Sequence, residues 1–456
     1  MRKFFPLIAV PLMALAFACP AQSPQAAATA PAPAQSVPAP ASTSSAGQVD
    51  IDDIRTFTRV YSVVKQAYVD PVSDKRLMDA AIHGLLSKLD PHSAFLDRRD
   101  LRQLSEDTSG EYAGIGIQVA AVGGQLRVIA PLDGTPAARA GIRSGDVILS
   151  INGKAITSQS IDSMVDHLRG PAGSQVTLSI LHDKASVPKL IKLTRERIQV
   201  ASVRSRMLEP GFALLRISEF QQATEQDLRQ AITSLEKGGA LKGAVLDLRS
   251  NPGGLLTAAV GVSDIFLERG AIVSTRGRTA QSDMRFDATQ GDMLHGAPLV
   301  VLVDQGTASA AEIVAGALKD NHRGLIMGQR TFGKGSVQSV LPLDDNYAVK
   351  LTTARYYTPS GTSIQAEGIT PDIALGDLTV NPRETPPTPI ISEADLPHHL
   401  ENGSDMQVQP AQAAKGEEQL ALDDYALSEA LNVLKGMALS RQQNRSADAK
   451  AEPKQR

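Results

Sequence analysis

At 456 residues the chain has room for about three domains of roughly 150 residues each, which excludes a single small module. Apolar residues make up 42% and charged residues 21%, and Lys+Arg 46 against Asp+Glu 49 gives a net charge of -3, so the basic, aromatic-studded footprint of a nucleic-acid binder is missing. The single cysteine, Cys19, excludes an intrachain disulfide framework and any thiolate metal cluster.

In chain order, Arg2 and Lys3 open a positive segment, and Phe4 to Phe17 is almost wholly apolar, although Pro6 and Pro11 interrupt it. At about fourteen residues this run is short for a membrane span and reads as an export signal over 1–21. Ala16-Phe17-Ala18 or Ala18-Cys19-Pro20-Ala21 offers the small residues that a signal peptidase reads. The place of Cys19 loosely resembles a bacterial lipobox, from which Ala16 and Phe17 depart, so a lipid anchor on Cys19 stands as the alternative to simple cleavage. Residues 22–50 are rich in Ala and Pro and carry no apolar periodicity, as in a disordered leader. The mature protein is therefore expected in the periplasm.

Helical spacing begins at Ile51. Ile54, Phe57, Val60, Tyr61, Val64 and Tyr68 form one stripe, and Leu77, Ala80, Ala81, Leu85 and Leu89 form a second that Asp90-Pro91 stops. An N-terminal helical region over 51–108 is too small to bury both stripes alone and must pack on the main core or on a second subunit. Residues 109–197 change to short strands punctuated by glycine, at 112–119, 126–130, 146–151 and 175–181, with one helical pattern at 158–169. Over 198–380 strands and helices alternate, which predicts an α/β core with parallel strand pairs. Residues 381–456 form a tail that is Pro-rich at first and then carries a helix near 418–440 with Leu420, Leu427, Ala430, Leu431 and Leu434 on one side.

Candidate chemistry sits in the alternating region. Val300 to Val314 reads as a buried strand, a turn of small residues and a helix opening at Ser309, where the free amides and the positive helix end suit a developing alkoxide. A serine at a helix start is more often only an N-cap, and on this segment alone the cap is the better reading. Gly253 and Gly254 follow another predicted strand and let main-chain amides approach a ligand oxygen, although paired glycines also serve ordinary turns. Gly328 to Lys334 matches the spacing G-x-x-x-x-G-K, but Gly335 stands where a nucleotide-binding loop needs Ser or Thr, which rejects that reading. No H-E-x-x-H helix or G-x-S-x-G elbow occurs. A serine hydrolase on this chain needs another base, and a desolvated lysine such as Lys334 is one known type. Gln338 shares a strand face with Lys334, but on a straight strand the two lie roughly 13 Å apart at about 3.3 Å per residue, so contact requires a bend.

Thr307-Ala-Ser-Ala-Ala-Glu-Ile313, Thr331-Phe-Gly-Lys-Gly-Ser-Val-Gln338 and Asp247-Leu-Arg-Ser-Asn-Pro-Gly-Gly254 together resemble the carboxyl-terminal processing, or tail-specific, protease family. Leu89-Asp-Pro-His-Ser93, Pro359 to Gln365 and Gly368 to Asp372 extend the resemblance to roughly residues 55–375. It implies an α/β, crotonase-like protease core with an inserted PDZ domain and N-terminal helices. It also implies Ser309 as nucleophile, Lys334 as general base and Gln338 as orienting partner, with an oxyanion hole shared by Ala310 and one or both of Gly253 and Gly254. Asp320, eleven residues after the serine, occupies a place described as important in some relatives, and a structural role is preferred for it here. The module at 109–197 looks like a PDZ domain with Gly114, Ile115, Gly116 and Ile117 as its carboxylate-binding loop, beside which a peptide tail adds as a strand.

The reading is therefore an exported endopeptidase that captures protein substrates by apolar C-terminal tails and needs no cofactor or metal. A homodimer through the helices at 51–108 and 418–440 is expected, and an adaptor protein is a further candidate partner. The alternatives are a PDZ-bearing adaptor or chaperone with an inactive core, against which the trio Ser309, Lys334 and Gln338 argues, and a trypsin-like protease, whose PDZ domain would follow its core rather than precede it.

Overall fold

The computed structural model describes residues 49–157, 164–182, 185–376 and 415–451, with isolated positions at 378, 380–381 and 398. The expected signal, the leader up to residue 48, the start of the helix at 158–169 and most of the Pro-rich stretch lie outside the described residues.

The N-terminal region supplies α1 (Ile51–Ala67), α2 (Asp74–Ser87) and α3 (Arg98–Ser109). Asp50 caps α1 by accepting from Asp52 N, and no residue of α1 is fully buried. Asp97 forms a full capping box at the start of α3. Between α2 and α3 lies a strand that the helical pattern did not predict, β1 (Ala94–Leu96). After it come β2 (Glu111–Gly114), β3 (Ile117–Val122), β4 (Gln125–Pro131), the single turn α4 (Pro136–Arg139), β5 (Val147–Ile151), β6 (Lys154–Ala155), β7 (Gln175–Leu181), β8 (Lys189–Thr194) and β9 (Glu196–Gln199). Strands β3-β4-β5-β7-β8 form one sheet around Leu126, Val128, Ile148, Leu178 and Ile180, and β2 pairs with β9 where the module opens and closes.

The core follows as β10 (Val203–Glu209), β11 (Phe212–Ile217), α5 (Thr224–Glu236), β12 (Gly243–Asp247), α6 (Leu256–Phe266), β13 (Ala271–Gly277), β14 (Met284–Asp287), β15 (Leu299–Val303), α7 (Ala310–Asp320), β16 (Leu325–Gly328), β17 (Ser336–Pro342), β18 (Ala348–Tyr357), β19 (Ile373–Ala374), α8 (Lys415–Asp423) and α9 (Tyr425–Ala451). Its main sheet runs β10-β11-β12-β15-β16-β19, parallel from β11 onward. Strands β12 and β15 are buried at every residue, which is why both read as unbroken apolar runs rather than alternating ones. One face of the sheet, with Leu246, Val301 and Val303, packs on residues of α5, α6 and α7. A second sheet is built on β18, which pairs with β17 on one side and with β1 and β13 on the other. Because β1 precedes the β3–β8 module and joins the core through β18, that module is an insertion in the core.

The other face of the main sheet corrects one expectation. Leu427, Ala430, Leu431 and Leu434 of α9 are buried against Val245, Val300 and Leu302, so the stripe near 418–440 is spent within the chain and is not available for a dimer. Gly243 makes the approach possible, since a Cβ there would lie 2.8 Å from Leu434 Cδ1. Leu434→Ala is expected to cost about 2–5 kcal/mol, seen as a lower Tm. An unchanged Tm would show that α9 does not seal this face.

Candidate active site

Neighbouring parallel strands send their following loops out side by side at the carboxyl edge of the sheet. Here β12 and β15 are such neighbours, with Asp247 opposite Leu302. Their loops are stitched by Ala308 N donating to Asn251 O at 2.9 Å, Ser250 N to Asp304 Oδ1 at 2.7 Å and Thr307 Oγ1 to Leu248 O at 2.9 Å. Ser309 stands where the β15 loop turns into α7, with φ 54 and ψ -114. A residue with a Cβ enters this region at a cost of about 1–3 kcal/mol and stays only when its surroundings hold it there. The result is a strained strand-to-helix elbow that presents a serine at the positive end of a helix.

The group that holds the elbow is Glu312, three residues on and fully buried. Its Oε2 accepts from Ser309 N and from Lys334 N, each at 2.8 Å. Its Oε1 accepts from Gly333 N at 2.7 Å and from Thr331 Oγ1 at 2.5 Å. One carboxylate therefore binds the serine elbow and the lysine loop into a single unit. Thr331 is tied in turn to Ile369, and a Cβ on Gly335 would fall 2.2 Å from Gln365 N, so only glycine fits beside the lysine. Sequence reasoning assigned Glu312 no role, although Ser309-Ala-Ala-Glu312 has the S-x-x-E spacing of a capping box.

Of the two glycines, Gly253 lies against the serine. A Cβ on it would come within 2.8 Å of Ser309 Cβ and 3.0 Å of Ala310 N, so its place in the elbow requires glycine. Its N–H donates to the buried Asn251 Oδ1 at 2.9 Å. Gly254 packs on the main chain of Phe220 instead. Among the described residues the N–H groups of Ala310 and Gly254 have no protein acceptor.

Lys334 is half-buried. Desolvation pushes its ammonium below the ordinary lysine value, the charge of Lys350 adds to this, and Glu312 opposes it. His92, from the loop before β1, is also held low by burial and by the Lys334 charge. The expected contact between Lys334 and Gln338 is not made. Gln338 Nε2 donates to Ser336 Oγ at 3.0 Å and to Thr352 Oγ1 at 3.3 Å, beyond a register shift between Val337 and Gln338. No hydrogen bond joins Lys334 Nζ to another side chain among the described residues. Asp320 closes α7 and accepts from Ser360 N at 2.9 Å, a structural contact.

A model of Peptidase family S41 matches residues 211–375, a PDZ domain model matches 127–181, and a model of the activating protease CtpB N-terminal domain matches 21–100. The carboxy-terminal-processing protease of Bartonella bacilliformis is 42% identical, over 83% of this chain and 88% of its own. This chain belongs to the carboxy-terminal-processing proteases. The carboxy-terminal processing protease CtpA of Bacillus subtilis is 35% identical, over 72% of this chain and 70% of its own. Among solved structures, the photosystem II D1 C-terminal processing protease matches with a TM-score of 0.42 and 34% identity, over 72% of this chain and 94% of that one. As a member of the family, the protein is a serine peptidase with an α/β core and an inserted PDZ domain.

In that PDZ domain, the loop between β2 and β3 has its carbonyls tied back and its amides open. Ala137 N donates to Ile115 O at 3.0 Å, and Leu132 N to Gly116 O at 2.9 Å. The N–H groups of Ile115 and Gly116 have no protein acceptor among the described residues. Gly116, at φ 76, needs to be glycine because a Cβ would strike Thr135. Gly114 ends β2 in its pairing with β9, and Ile117 begins the edge strand β3, so a peptide carboxylate held at the amides would lead its chain onto that edge.

The charge around Lys334 gives a direct check. Burial disfavours the ammonium, so Lys334 should titrate below about 10.4, and Lys350→Met, by removing a like charge, should move the midpoint upward. NMR titration of the Lys334 Nζ would read both. A midpoint unmoved by Lys350→Met would show that Lys350 does not act on it.

Proposed function

We propose that this peptidase cleaves by acyl transfer with Ser309 as nucleophile and Lys334 as general base. Its substrates would be proteins whose apolar C-terminal tails bind the PDZ domain beside Ile115, Gly116 and Ile117. The observation that carries this reading is the buried Glu312 carboxylate, which binds the main chain of both residues at once. A neutral Lys334 Nζ takes the proton from Ser309 Oγ as that oxygen attacks the scissile carbonyl. The oxyanion receives the open N–H groups of Ala310 and Gly254, since the Gly253 N–H is already given to Asn251 Oδ1. Lys334 then returns the proton to the leaving amine, and a water deprotonated by the same lysine hydrolyses the acyl-enzyme. The side chains of Lys334 and Ser309 close into hydrogen-bond contact when substrate excludes water from the elbow, as catalytic pairs that are loose in the free enzyme do. Gln338 acts on the lysine loop through Ser336 and Thr352.

The test is cleavage of an unstructured reporter with an apolar C-terminal tail, beside one with a charged tail. Ser309→Ala should lose at least about a thousandfold in kcat. The charged tail should raise KM with little change in kcat. Undiminished cleavage by Ser309→Ala would refute the nucleophile, and equal use of both tails would refute tail selection. Tail binding without cleavage by the wild type would favour an adaptor or a partner-gated core.

A further inference from the structure

Open sheet edges are usually blunted by charge or by shortness, because an unpaired row of N–H and C=O groups recruits other strands. Most edges of this protein follow that rule. Strand β10 carries Arg204, Arg206 and Glu209, β8 carries Lys189 and Lys192, and β14 carries Arg285 and Asp287. Strands β1 and β19 are three and two residues long. Among the described residues, the edges that are longer than three residues and carry no charged side chain are β3 and β17. The first is the edge that receives the peptide tail in the reading above. The second begins two residues after Lys334.

The hairpin β17–β18 fixes which backbone groups of β17 are open. Leu343 N donates to Tyr347 O at 2.9 Å, and the register continues as Leu341 opposite Val349, Val340 opposite Lys350 and Gln338 opposite Thr352. Bonded and non-bonded pairs alternate in an antiparallel ladder, so the N–H and C=O of Gln338 and Val340 face away from β18. Pro342 has the same parity, where its missing N–H costs the ladder nothing. No strand pairs with β17 on that side among the described residues. Exposed apolar side chains flank the edge at both ends: Phe332 is 64% exposed, and Val340 and Leu341 are 41% and 44% exposed. Phe332 is anchored at the site by its N–H to Thr307 O at 3.0 Å.

We propose that the substrate segment around the scissile bond docks as an added strand on the free edge of β17, hydrogen-bonding to the outward backbone of Gln338 and Val340 and contacting Phe332 and Leu341 with apolar side chains. The proposal rests on the assignment of Ser309 and Lys334, because it is the start of β17 beside Lys334 that leads such a strand to the elbow. The protein then uses strand addition twice, once to hold the tail and once to present the bond to be cut.

The experiment is a backbone N-methyl scan of a peptide that the wild-type, full-length protein cleaves. Cleavage of the unmethylated parent, and its loss in Ser309→Ala, tests the underlying assignment separately. Methylation at alternate residues on one side of the cut is expected to lower kcat/KM about tenfold, with the intervening positions nearly unaffected. Uniform tolerance, or sensitivity without a period of two, would overturn the proposal. In parallel, Val340→Pro removes an outward N–H that β18 does not use. It should lower kcat/KM about tenfold, mainly through KM, while a small fluorophosphonate still labels Ser309. Wild-type kcat/KM in Val340→Pro would also overturn it, and if that variant fails to label because it does not fold, the methyl scan decides alone.

Discussion

A single buried carboxylate sets the geometry of this peptidase. Glu312 is wholly removed from water and accepts four hydrogen bonds, two at each oxygen. A carboxylate in such a place is tolerated only when its acceptor sites are filled, because each missing donor leaves part of its desolvation cost uncompensated. The donors come from the serine elbow and from the lysine loop, so neither can shift without exposing the charge to an unfilled site. The strained φ of Ser309 is affordable for the same reason: the strain is small beside the loss of charge-assisted bonds that relaxing it would bring.

The sheet below makes this arrangement possible. Two neighbouring parallel strands, β12 and β15, are packed on both faces, and that packing holds their carboxyl ends in register. At the end of β12, the buried Asp247 pairs with Arg216 and Arg249, and Arg249 also binds Asp424 at 2.7 Å, just before α9. These carboxylates hold the Arg249 guanidinium firmly charged against its desolvation. The helix that seals one face of the sheet is thus fastened beside the turn that carries Gly253 and Gly254. Core stability and site geometry share one set of contacts.

Much of this was legible in the sequence because it depends on local pattern. Unbroken apolar runs give β12 and β15, paired glycines give the turn after β12, and the alternation of strands and helices gives the parallel sheet. What was not legible depends on which surfaces meet. The stripe at Leu427, Ala430, Leu431 and Leu434 has the same spacing whether it is buried by its own chain or by another copy, and here its own sheet buries it. Strand β1 is three residues long and shows no periodicity, because its only requirement is a partner far along the chain in β18. Gln338 turns toward Ser336 and Thr352 because the hairpin register, which the sequence does not state, places those hydroxyls beside it. Glu312 was readable as a capping-box residue, but its bonds to Thr331, Gly333 and Lys334 appear only once β15 and β16 lie side by side.

The clamping role of Glu312 is tested by the rate of a Glu312→Gln variant. The amide keeps the shape but removes the charge and turns one acceptor into a donor facing N–H groups. If Glu312 clamps the two elements, kcat falls at least about a hundredfold while the PDZ domain binds an apolar tail as before. A variant that cleaves at the wild-type rate would contradict that role, because the serine elbow and the lysine loop would then be held together by something other than this carboxylate.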